Sequence, residues 1–445
     1  MGAVPARNPR FRVLVPAVAI LVCYGAIEAI CGLGLFVIQR RLAIRYEPNI
    51  SALSEQQKKT LQRFLESARR GERVSQDPVL GWVPRLGLNA AGMRDDREHD
   101  VQPKRCAVRI SAFGDSFTYG SDVELEETWG KRLEQLNPRL EVLNYGAGAY
   151  GLDQAYLRYR LVGTTYRPHI VFIGYLSENI LRHVSVFRAF YTTAYRDVIF
   201  TKPRFEVKDN ELVLVPNPIA TVADHERLLL HDREVLRELG RRDYHYQTNY
   251  NAGPFDILPT VRLTKMFWAA LNQHVLKPIV DSDGRYRPDS EAYQVTIKIF
   301  EAFYRDALAN GALPVILIFP GAGDQWRSRD GKPRSYAFLV EDLRRRGYRW
   351  IDVQQAFEPH ASRLTVQDLT RQWGHYSPLG QQLVAEHIER QLHQLGLLDA
   401  ENIRVALEAD RRKFGLPSGS SQADAPSPAS RRAARPAPSD ARGGC

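Results

Sequence analysis

The sequence predicts an α/β fold, a parallel sheet covered by helices on both faces, carried behind a transmembrane helix at the N-terminus. Three observations lead there. Residues 13–38 hold one charge, Glu28, in an otherwise apolar run. Beyond residue 106, short β-branched or aromatic runs alternate with helical stretches. Those runs are nearly continuously apolar, as strands buried on both faces must be.

The first element, at about 39 Å of helix, is long enough to cross a ~30 Å hydrocarbon core with some tilt. It lacks the small-residue exit of a cleaved signal peptide, so an uncleaved anchor is expected over residues 1–46. Glu28 is read as a carboxyl kept neutral in an apolar helix rather than as a polar partner site. Arg7, Arg10 and Arg12 on one side balance Arg40, Arg41 and Arg45 on the other, so charge does not set the orientation.

Residues 47–106 read as a stalk and entry segment. Its helix at 54–70 places Leu61, Phe64, Leu65 and Ala68 on one face. The strands expected next are 107–113, 141–145, 170–175, 314–319 and 349–353. Helices are expected at 129–136, 152–161, 289–310, 335–346 and 379–395. The main domain runs over 107–400. An insertion at about 181–287 is rich in aromatics, among them Phe187, Phe190, Tyr244, Tyr246, Tyr250, Phe267 and Trp268. These suit either a substrate lid or a subdomain core. A hairpin at 204–215 should turn at Asp209 and Asn210.

From about residue 416 the chain is mainly Ala, Pro, Ser and Arg, so 401–445 is read as a helix end and a disordered basic tail. The two ends account for the whole formal charge of +10. The body between them is neutral, which excludes a basic groove for nucleic acid spread over the domain. Four cysteines without a C-x-x-C pair, and scattered histidines, give no metal cluster and no cofactor signature.

The chemistry gathers at strand ends. FGDSFTYG (113–120) puts Ser116 on the turn after the first strand, where backbone N–H groups can face an oxyanion. NYGAGAYGLDQ (144–154) is a glycine-rich loop after the second. GYLSENI (174–180) offers the Asn179 amide after the third, and GHYSPLGQQLVAEHI (374–388) offers His375 after the fifth. Nucleophile, backbone donor, amide donor and base in that order make a hydrolase assembly. Asp115 reads as a turn anchor and His387 as a surface or packing residue.

This set resembles the SGNH/GDSL hydrolases, in particular membrane-anchored bacterial members associated with cell-surface polysaccharides. The resemblance runs over about 77–395, including DPVLGWVP (77–84) and TKPRF (201–205). It implies a flavodoxin-like three-layer α/β/α sheet, Ser116 as nucleophile and His375 as general base. It also implies an oxyanion hole from the Ser116 N–H, a second-block N–H and Asn179. The second-block position is Ala149, suitable if its φ is negative, with Gly146 and Gly148 as alternatives. The family's Asp, two or three residues before the His, is replaced by Trp373 and Gln372. Gln372, Asp368 or a main-chain carbonyl are the expected orienters of His375. The implied function is an esterase for O-acyl, often acetyl, groups of an extracytoplasmic glycan, anchored once in the bacterial inner membrane with the N-terminus cytoplasmic and the catalytic domain periplasmic. The other readings are an O-acyltransferase, or a catalytically weakened protein that binds glycan or a synthesis complex.

Overall fold

The computed structural model describes residues 9–72, 75–84, 87–191 and 198–417, with side chains from residue 14 onward. The basic tail beyond 417 lies outside the described residues. The chain opens with helix α1 (Pro9–Arg41) and α2 (Glu55–Arg69). Ser54 and Gln57 close a capping box that fixes where α2 starts. Then follow β1 (Val108–Phe113), the single turn α3 (Ser116–Tyr119), α4 (Trp129–Leu136), β2 (Leu140–Asn144), α5 (Leu152–Val162) and β3 (Ile170–Leu176). The insertion contributes the hairpin β4 (Arg204–Lys208) and β5 (Glu211–Val215), α6 (Val222–Leu230), α7 (Asp232–Gly240) and α8 (Pro259–Leu271). The core then resumes with α9 (Glu291–Ala309), β6 (Leu313–Phe319), α10 (Ala337–Arg346), β7 (Trp350–Asp352), α11 (Pro378–Gln394) and α12 (Ala400–Lys413).

The sheet has five parallel strands in the order β2-β1-β3-β6-β7. Every residue of β1, β2, β3 and β6 is buried, which is why their sequences read as unbroken apolar runs rather than alternating ones. Helices α4 and α11 pack together on one side, while α5, α9 and α12 pack on the other. This is the flavodoxin-like α/β/α sandwich, and its strand order reverses between β1 and its two neighbours. Ligand sites collect at the carboxyl ends of the strands beside such a switch point.

Several local expectations hold for identifiable reasons. The hairpin turns at Asp209 and Asn210, whose φ values of 49° and 66° are those of a two-residue turn matching strand twist. The carboxyl end departs from its reading as a helix end. Residues 400–413 form a full helix that buries Ile403 and Leu407, and Arg349 grips Asp410 through two 3.0 Å bonds. Cys106, which the sequence leaves as the single cysteine of the body, is disulfide-bonded.

The insertion is not a bare lid. Phe187, Phe190, Leu228, Val235, Leu236 and Leu239 form a second hydrophobic core together with Leu61, Phe64 and Leu65 of α2. The stalk helix is therefore a structural part of the insertion's subdomain. Phe267 and Trp268, by contrast, stay exposed.

The entry segment is fastened to the sheet by a charge cluster. His99 contacts Asp95 and Glu141 at 2.9 Å each, Lys131 reaches Asp95 at 2.7 Å, and Arg109 reaches Glu141 at 2.7 Å. Burial alone would lower the imidazole's pKa, but hydrogen bonds to the two carboxylates outweigh it and raise it to about 9. A base whose folded pKa is raised contributes stability in full below its ordinary value near 6.5, and loses it as pH climbs through about 9. Melting temperature should therefore fall between pH 6.5 and pH 9, and His99→Gln should flatten that slope while lowering stability at pH 6.5. Thermal denaturation followed by circular dichroism across that range checks it.

Candidate active site

The site is built around one tight turn. After β1 the chain passes Gly114, where a Cβ would sit 2.0 Å from Thr118 Oγ1 and 3.2 Å from the Gly174 Cα at the end of β3. Only glycine fits there. Asp115 then caps α3, accepting from the Phe117 N–H at 2.9 Å, and Ser116 occupies the first helical position. Its backbone N–H has no acceptor within so short a helix. Gly120 ends the turn in the left-handed conformation, donating its N–H to the Ser116 carbonyl at 2.9 Å. The chain doubles back at once and brings Asp122, with φ 65°, over the same edge.

Arg94 holds that return. Its guanidinium donates to the carbonyls of Tyr119 (2.8 Å), Gly120 and Val123 (2.6 Å), and lies over the Tyr119 ring at 4.3 Å. Three carbonyls on one cation fix residues 119–123 as a unit.

His375 arrives from the other end of the chain. Arg371 and His375 close a turn through a 2.7 Å backbone bond, and Gly374 sits in it at φ 82°. Ser377 caps α11, with Pro378 at its first position, so the imidazole stands just ahead of a well-defined helix start. The Phe117 ring packs edge-on to it at 5.3 Å. His375 Nε2 is 2.9 Å from Ser116 Oγ and its Nδ1 is 2.6 Å from Asp122 Oδ2. An ionised carboxylate can only accept, so Nδ1–H donates to Asp122 and leaves the Nε2 lone pair for the serine hydroxyl. Ser116, His375 and Asp122 thus form a continuous relay in which the serine is 6% exposed.

Asp122 corrects the expected orienters. Gln372 is exposed, and Asp368 is engaged elsewhere, its Oδ2 accepting from the Thr365 N–H (2.7 Å) and hydroxyl (2.8 Å) at the cap of a short helix. The acid comes from six residues beyond the nucleophile rather than from the residues before the histidine. The only sequence signal for it was an acid two residues after the glycine that ends the FGDSFTYG block.

The oxyanion-hole expectations fare unevenly. Asn179, at the end of β3, is fully buried and donates one amide N–H to Asp115 Oδ2 at 3.1 Å. Its second amide N–H remains. Asp115 is the turn anchor expected; burial raises its carboxyl above the usual range, and Arg182 at 3.5 Å opposes this. Gly146 is excluded as the second-block donor because its N–H is already taken by Asn144 Oδ1 at 2.9 Å. Ala149 has φ 63°, so the condition set for its role, a negative φ, is not met. Among the described residues, neither the Gly148 nor the Ala149 N–H has an acceptor. His387 is buried at 3% exposure and pushed down to about 4 by burial, a packing residue rather than a surface one. Among the described residues no group of His, Cys, Asp or Glu is arranged to hold a metal ion.

No family profile matches the chain, and no curated protein matches it. Among solved structures, it is similar to a G-D-S-L family protein from Desulfitobacterium hafniense, at 14% identity and a TM-score of 0.32, over 64% of this chain and 98% of that one. A member of the lipolytic protein G-D-S-L family from Veillonella parvula matches at 10% identity and a TM-score of 0.31, over 65% of this chain and 100% of that one. A two-domain esterase active on acetylated mannans matches at 12% identity and a TM-score of 0.33, over 66% of this chain and 50% of that one.

Asp122→Asn keeps the shape but removes the charge and permits the wrong imidazole tautomer, so kcat on an aryl ester should fall on the order of 10⁴-fold. Asp368→Asn should leave kcat near wild type. Steady-state rates of the two variants side by side decide between Asp122 and Asp368 as the orienting acid.

Proposed function

We propose that this protein is a membrane-anchored serine esterase of the SGNH/GDSL type that removes O-acyl groups, chiefly acetyl, from an extracytoplasmic glycan. The observation that carries the proposal is the relay from Asp122 through His375 to Ser116, with heavy-atom separations of 2.6 and 2.9 Å. Those distances lie within the hydrogen-bonding reach that nucleophilic catalysis needs.

In the first half-reaction Ser116 Oγ attacks the acyl carbon as its proton passes to His375 Nε2. The carbonyl electron pair moves onto oxygen, facing the Ser116 N–H, the free amide N–H of Asn179 and an N–H of the Gly148–Ala149 pair. Collapse breaks the ester C–O bond, and His375 returns its proton to the departing sugar oxygen. A water then repeats the sequence on the acyl-enzyme, with His375 again acting as base. Asp122 stabilises the imidazolium at each stage. A completed relay removes the main ground for reading this chain as a weakened, binding-only protein.

Two indoles, one exposed and one partly buried, favour a sugar substrate. Trp373, two residues before His375, is 78% exposed. Trp82, partly buried, donates its Nε1–H to the Gly148 carbonyl at 2.9 Å and so stands beside the second-block loop. Flat aromatic faces at the rim of a site suit the apolar faces of pyranose rings. The anchor is α1, whose segment Leu14–Arg41 is long and apolar enough to cross a membrane. The family resemblance supports a cytoplasmic N-terminus and an extracytoplasmic catalytic domain.

A fluorophosphonate probe should label the wild type and fail to label Ser116→Ala; labelling that survives the substitution, or a wild type that resists the probe and cleaves no acyl ester, would overturn the proposal. Trp373→Ala should lower kcat/KM for an acetylated oligosaccharide about 10-fold, roughly 1.4 kcal/mol of transition-state binding, while leaving a small aryl acetate unaffected.

A further inference from the structure

The insertion's α8 packs on α1 within its apolar span. The contact is specific. Glu28 accepts a 3.0 Å bond from the Thr260 N–H and a second from the Thr260 hydroxyl, so its carboxylate caps the first turn of α8. A Cβ on Gly32 would meet the Pro259 ring at 3.6 Å, which shows how closely the two helices approach. Leu35, one turn further, is 4% exposed. Glu28 therefore has the polar partner that the sequence reading set aside.

Length then places this contact in depth. Residues 14–27 are exposed throughout, and at 1.5 Å per residue they make roughly 21 Å of helix. That is short of a ~30 Å hydrocarbon core, which takes about 20 residues to cross. Arg7, Arg10 and Arg12 stop the span from extending toward the N-terminus. It must therefore run on through Glu28 to about residue 33, taking the α8 start with it.

The outward side of this segment is consistent with lipid. Phe255 (69% exposed), Ile257 (82%), Phe267 (67%), Trp268 (54%), Val275 (64%) and Leu276 (55%) have no protein cover. Two of the charges nearby are paired inward: Asp256 accepts from Lys265 and from the Tyr46 hydroxyl, and Lys265 also donates to the Asn251 carbonyl at 2.9 Å, while His274 and Lys277 at the far end of the segment are exposed. Large apolar side chains facing out beside an inward Asp256–Lys265 pair reverse the pattern of a water-facing surface.

We propose that residues 255–276 form a second membrane element, with α8 lying beside the anchor in the half of the bilayer nearest the catalytic domain and its Phe, Ile and Trp side chains among the acyl chains. This rests on α1 being the transmembrane anchor proposed above. The domain is then held at two points rather than swinging on a tether, and its active site keeps a constant orientation to the bilayer. The occupant of the exposed face is phospholipid.

Photocrosslinking of the full chain in phospholipid vesicles tests it, with benzoylphenylalanine replacing Phe267, Ile257, Ile20 in the anchor, or Leu230, which is 73% exposed on α6. Phospholipid adducts are expected at positions 267, 257 and 20, and none at 230. Adducts at 20 without adducts at 267 and 257 overturn this inference and leave the anchor standing, as does crosslinking of 267 to another protein. No lipid adduct at 20 overturns the anchor and this inference together. Fluorophosphonate labelling of each variant confirms that the catalytic domain has folded.

Discussion

The reversal of the chain between Gly114 and Asp122 is the constraint on which the site depends. Within nine residues the backbone leaves β1, caps one turn of helix with Asp115, sets a serine at its start, and returns with an acid. No Cβ could be accommodated at Gly114 against Thr118 and Gly174. The left-handed Gly120 lets the turn stop after four residues, and Arg94 then pins the returning carbonyls. Serine and acid are thus positioned by one short segment, and the turn before α11 has only to deliver the histidine between them. The relay is short because two of its three members share a rigid mount.

Much of the fold was legible because burial on both faces leaves an unmistakable trace. Residues 313–319 read LPVILIF, and no half-exposed strand would be so uniformly apolar. Strand ends were legible for the same reason, and once they were placed, Ser116, Asn179 and His375 fell at one edge. Asp122 was not legible. It lies 253 residues from His375 along the chain, and only the closing of α11 onto the β1 turn brings the two together. An expectation based on spacing from the histidine looked for the acid on the wrong segment. Asp368, nearer in sequence, is drawn instead to cap its own helix start, a local bond that wins because it needs no long-range fit.

The aromatics of the insertion show a different boundary. Phe187 and Phe190 are buried with α2, whereas Phe267 and Trp268 face outward, yet all four look alike in composition. What separates them is what each segment packs on: residues 187–190 close on a protein core with α2, α6 and α7, and α8 closes on α1. The same holds for Glu28, which is a lone carboxyl in the sequence and a helix cap in the fold.

The central claim is that Ser116 is the covalent nucleophile of this site. Acid-quenching the wild-type protein during turnover of an aryl acetate, followed by peptide mass spectrometry, tests it most directly. The account predicts an acetyl group on Ser116, absent when Ser116 is replaced by alanine. Steady turnover with no acetyl on Ser116, or with acetyl on another side chain, would contradict it.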